Sequence, residues 1–132
     1  MKKDEIIDFL LEREISEVEE IPYKNDILVL RAYYDFDEEE MKAAKAYAND
    51  ECKSEEEDSE WYDDFLLPYL SDVAIDNVGD LVEDLMEEFE VEGQYVSYDI
   101  PKENCKYNEF ILAVCAKNKE LDIEDILNEL NL

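Results

Sequence analysis

Residues 72–91, DVAIDNVGDLVEDLMEEFEV, read as a long amphipathic helix. Val73, Ala74, Val78, Leu81, Val82, Leu85, Met86 and Phe89 trace one continuous apolar stripe, the pattern of a helix laid on a core. Ser71 is placed to cap the start, and Gly93 stands where a left-handed turn would close the end. A strand is expected at 94–100, with Val96, Tyr98 and Ile100 on one face. After a polar connection, residues 109–116 (EFILAVCA) are apolar on both faces, which marks a central strand. A final helix spans Leu121 to Leu130, with Asp122 as its cap.

Upstream the pattern is similar. Residues 3–14 carry Ile6, Ile7, Leu10 and Leu11 at helical spacing, with Asp4, Glu5, Asp8 and Glu12 between them. Val18 and Ile21 mark a short first strand, which Pro22 assigns to an edge. Lys24, Asn25 and Asp26 supply a turn into a second strand at 27–34, where Leu28, Leu30, Ala32 and Tyr34 share a face. Asp37 followed by Glu40 is a capping box with aspartate in place of serine, opening a helix through about Asn49. From Glu60 onward, Trp61, Phe65, Leu66, Tyr69 and Leu70 recur as one helical face, and Pro68 within it predicts a kink or break. The expected fold is one α+β domain over residues 1–132, in the order α-ββ-αα(α)-ββ-α. A mostly antiparallel sheet of three or four strands carries helices on one face.

The charge is extreme. Forty acids against twelve bases leave a formal net charge of −28, while 46% hydrophobic residues still provide for a core. Such a balance removes the electrostatic route to nucleic acid and to anionic membranes, both of which need clustered lysine and arginine. No apolar run approaches the roughly 18 residues of a membrane span. The N-terminal MKKDEIIDFLLERE has acids where an export signal needs an apolar core. Cys52, Cys105 and Cys115 are an odd number without metal-ligand spacing, so they read as free thiols in a reducing cytoplasm.

Catalytic and cofactor readings find little purchase. There is no histidine, and Gly79 and Gly93 are the only glycines, so no phosphate-cradling loop exists. The DFDEE run from Asp35 lacks the glycine of a calcium loop, having Glu40 at that position. Cys115 reads as an inert core thiol, and Arg31 as half of a cross-strand ion pair. No catalytic, cofactor or metal residues are assigned, and the chain is expected not to be an enzyme.

One feature of the charge pattern carries information. Residues 54–101 contain seventeen acids and no lysine or arginine. The polar face of the 72–91 helix holds Asp72, Asp76, Asp80, Glu83, Asp84, Glu87 and Glu88. Like charges four residues apart each cost a helix about 0.2–0.5 kcal/mol, and a solvated helix would recover this by mixing in lysines. Carboxylates on successive turns stand roughly 5–6 Å apart. Neighbouring phosphates along a nucleic-acid strand are about 7 Å apart, given the 3.4 Å rise per strand. The expected function is therefore a non-enzymatic interaction protein that binds a basic partner, with inhibition of a DNA- or RNA-binding protein by nucleic-acid mimicry as its sharpest form. The expected contact residues are Glu55, Glu56, Glu57, Asp58, Glu60, Trp61, Tyr62, Asp63 and Asp64, followed by Asp76, Asp80, Glu83, Asp84, Glu87 and Glu88. Against this stand a solvated acidic face with an unrelated role, an accessory protein that dimerises through apolar surface, and an enzyme whose carboxylates recruit a divalent metal.

Overall fold

In a computed structural model, residues 2–52 and 59–132 are described. The elements follow the order α1 (Lys3–Leu11), β1 (Ile15–Ile21), β2 (Ile27–Asp35), α2 (Glu38–Glu51), α3 (Leu67–Phe89), β3 (Val91–Ser97), β4 (Tyr107–Ala116) and α4 (Ile123–Leu130). A π-helical stretch, Trp61–Leu66, leads directly into α3. Four strands form one antiparallel sheet in the order β1-β2-β4-β3. Two hairpins are thus joined along their inner strands, with Leu30 opposite Leu112 at the seam. The α+β class and the element order are those read from the sequence.

Both inner strands bury apolar side chains on both faces, and each face has its own cover. On one, Leu28, Leu30, Ala32, Phe110, Leu112 and Val114 pack against Ile6, Phe9 and Leu10 of α1 and Ala74, Val78, Leu81, Val82 and Leu85 of α3. On the other, Val29, Ile111 and Ala113 are covered by Ile123 and Ile126 of α4. Helices were expected on one face only, and α4 corrects that. The second apolar row of a central strand has to leave water, and the short amphipathic α4 supplies the surface that removes it. A third cluster sets α2 (Ala44, Ala48) and Cys52 against Trp61, Leu66, Leu70 and Ile100.

Several boundaries move for identifiable reasons. Helix α1 stops at Leu11, three residues early, and Glu14 turns the chain with φ of 61°. Strand β1 is longer than Val18 and Ile21 suggested, but it is an edge strand as expected, bulged between Ser16 and Glu19. The capping box forms as read: Glu40 N–H donates to Asp37 Oδ1 at 2.7 Å, and Asp37 N–H donates to Glu40 Oε1 at 2.9 Å.

Pro68 does not break its helix. The chain winds through it from the π-helical stretch, where the Leu67 N–H reaches back to the Tyr62 carbonyl. Proline lacks the N–H and crowds the carbonyl four residues back, and the wider π turn just before it accommodates both effects. Ser71 consequently lies inside α3 and caps nothing. The helix ends at Glu90, itself left-handed at φ 53°, and Gly93 lies within β3. There the absent side chain matters for packing, since a Cβ would lie 3.2 Å from Val82 Cγ1. Strand β3 accordingly starts at Val91, three residues before the expected position, and Ile100 falls outside it.

Candidate functional site

The apolar stripe of α3 faces the sheet, and its other side is left to water. Asp72, Asp76, Asp80, Glu83, Asp84, Glu87 and Glu88 are all exposed there. From Asp72 to Glu88 they span about 24 Å at 1.5 Å per residue. Among the described residues, the ion pairs are Lys2–Glu5, Lys3–Glu20, Arg31–Glu109 and Lys119–Asp26, and all lie off α3. The helix dipole favours acids only in a first turn, so Glu87 and Glu88 stand at its unfavourable end.

Bases do approach the flanks of the row. Arg13 shares a depression with Asp80, Asp84, Glu12, Glu14 and Glu40, and Lys117 shares another with Glu83, Asp84 and Glu87. Arg13 is occupied: its guanidinium lies 3.5 Å from the Phe9 ring centroid, and Nη1 donates to the Phe9 carbonyl at 2.9 Å.

The fold also brings acids to the row that its own stretch of sequence does not contain. Glu5 and Asp8 of α1 and Glu12 just beyond it line a shallow hollow together with Arg13 and Glu88. Their helical spacing was visible, but it is the fold that places α1 beside the end of α3, where Phe9 meets Phe89 at 5.7 Å between ring centroids.

The other expected contact residues separate. Glu55, Glu56, Glu57 and Asp58 lie outside the described residues. Glu60, Asp63 and Asp64 are exposed. Trp61 is a correction: at 1% exposure it is core, and its indole N–H donates to Asn49 Oδ1 at 2.9 Å. A bulky ring at helical spacing beside Leu66 and Leu70 buries more apolar surface inside than it can offer a partner. Tyr62 is half-buried, edge-on to Trp61, with the Lys102 ammonium 5.9 Å from its ring centroid.

A polar knot ties α2 to α3 at the edge of the row. The Tyr34 hydroxyl donates to Glu40 Oε2 at 2.7 Å, and Asn77 Nδ2 donates to Tyr34 Oη at 2.7 Å and to Glu40 Oε2 at 2.9 Å. Burial first, and then the Glu40 carboxylate, push the Tyr34 phenol well above its ordinary value. Glu14, Asp37 and Glu40 bring carboxylate oxygens within 4.8 Å of one another. The oxygens of Asp37 and Glu40 already serve as helix-cap and knot acceptors, so a structural role accounts for the cluster. Cys115 is buried in β4, and desolvation raises its thiol pKa, as suits an inert thiol.

The chain matches no family model, no curated protein and no solved structure.

Among the described residues no helix is long and apolar enough to cross a membrane. Chemically, then, the distinctive surface is a row of carboxylates on a rigid helix, anchored from behind by six buried side chains of α3. Such a row repels anions and attracts cations.

Proposed function

We propose that this protein is a non-enzymatic, cytoplasmic binding protein whose α3 carboxylate row engages a basic partner. One observation carries the reading: the exposed acids of α3 share a face and, among the described residues, none of them pairs with a lysine or arginine. The row keeps a like-charge penalty of about 0.2–0.5 kcal/mol per pair at Asp76–Asp80, Asp80–Asp84, Glu83–Glu87 and Asp84–Glu88. A bound cationic surface converts each penalty into attraction. Because the spacing approximates that of backbone phosphates, a nucleic-acid-binding protein is the partner class it fits best, and occupancy of its groove would inhibit it. Association steered by such a field is fast and weakens steeply with salt.

The test is retention of basic proteins on the immobilised wild type and on Asp80→Lys/Asp84→Lys/Glu87→Lys at low ionic strength. The wild type should hold them until salt is raised, and the triple variant should let them pass. Retention that survives high salt points instead to apolar association, and salt-sensitive retention equal on both columns shows a diffuse field with no special role for the row.

A further inference from the structure

We infer that the exposed ring of Tyr47, with the half-buried rings of Phe65 and Tyr69 beside it, anchors the basic partner by taking one of its arginine side chains in preference to a lysine. The inference rests on reading α3 as a cation-binding face and names the chemistry at one end of it. Tyr47 projects from α2 with 37% of its surface exposed, although it is large and aromatic. It meets Tyr69 at 5.2 Å and Phe65 at 6.3 Å between ring centroids, both tilted, and these two rings are themselves half-exposed. The three rings form an open aromatic patch across α2 and the start of α3.

The patch is continuous with the carboxylates. Counting along α3 from Tyr69, residues 72, 76, 80, 83 and 87 return to its side of the helix, so Asp72, Asp76, Asp80, Glu83 and Glu87 extend from the patch for about 27 Å. On α2, Asp50 and Glu51 follow Tyr47 by three and four residues and flank it on its own side. The bases of α2, Lys42 and Lys45, precede it by five and two residues, which places them more than a third of a turn around the axis. The rings therefore sit in an acidic setting with no cation of their own element beside them.

That combination selects the occupant. An aromatic face next to carboxylates suits a guanidinium, which is planar, weakly hydrated and able to stack while its edges donate to acids. A lysine ammonium is a compact, strongly hydrated charge that gains from the acids but less from the rings. The chain shows the same difference internally: Arg13 lies 3.5 Å from a ring centroid, whereas Lys24 and Lys102 stand 5.4 and 5.9 Å from theirs. A second copy of this chain is a poor occupant, because each copy carries a formal charge of −28.

The experiment titrates the full chain with oligo-arginine and oligo-lysine peptides of equal length at low ionic strength, using wild type, Tyr47→Ala and Tyr47→Phe. Wild type should bind the arginine peptide about threefold to fivefold more tightly than the lysine peptide, the scale of an exposed cation–π contact. Tyr47→Ala should lose most of that preference while binding the lysine peptide nearly as before, and Tyr47→Phe should keep it. Equal affinity of wild type for the two peptides overturns the inference without needing any variant, and leaves the α3 reading standing. A preference that Tyr47→Ala leaves intact also overturns it. Failure of wild type to bind either peptide removes the α3 reading and this inference together.

Discussion

Tyr34 shows how much one side chain can connect. Its ring closes the sheet core, and its hydroxyl joins Glu40 of α2 to Asn77 of α3. Removing the hydroxyl leaves a half-buried carboxylate short of a donor, a loss usually worth about 1–3 kcal/mol. Tyr34→Phe should therefore unfold at lower denaturant concentration with an unchanged slope. The same phenol sets an alkaline limit. Its pKa is raised on folding, so the neutral form is the one the native state favours. The stability it contributes is complete below the ordinary tyrosine value and lost as pH rises through the raised one. Tyr23, bonded to Glu129 and pushed up from 10.0 to about 12, behaves in the same sense. Chemical denaturation above pH 10.0 should show falling stability in wild type and a shallower fall in Tyr34→Phe, which no longer has that phenol to ionise.

At the scale of elements, α3 carries the conflict between folding and use. Asp80 has acids at both i−4 and i+4, Asp76 and Asp84. Asp80→Lys turns two repulsions into attractions and should stabilise the fold by about 0.8–2 kcal/mol, read by thermal or chemical melting. If the proposed function holds, the same change weakens binding, so a more stable protein is a poorer binder. Most elements were legible from periodicity because each keeps a clean pattern: the stripe of α3, the two-sided apolar run of β4, the Asp37–Glu40 box. What escaped depended on tertiary context. Pro68 is compatible with a continuous helix only because a π turn precedes it, and no local pattern announces that turn. Gly93 read as a helix terminus, but its smallness serves the approach of β3 to Val82 on α3. The side of the sheet covered by α4 was undetermined, because amphipathicity says that a helix packs and not where. Of the candidate site, the α3 row was visible in sequence as acids without bases. The Tyr47 patch was not, because α2 reaches Phe65 and Tyr69 only through the fold.

For the whole molecule, a net charge of −28 on 132 residues means that self-repulsion opposes the compact state at neutral pH. Added salt should raise the melting temperature as it screens exposed charges lying more than about 8–10 Å apart. Bulk charge alone, however, would attract any polycation anywhere on the surface, so location is the central claim. The decisive measurement is calorimetric titration of an oligo-lysine peptide at low ionic strength into three proteins: wild type, Asp76→Asn/Asp80→Asn/Asp84→Asn on α3, and Glu19→Gln/Glu120→Gln/Glu124→Gln elsewhere, the two variants having equal net charge. The α3 variant should lose affinity by about tenfold or more, roughly 1.4 kcal/mol, while the control stays close to wild type. Equal losses in both variants would show that the row has no special role and that its acids act only as part of a diffuse field.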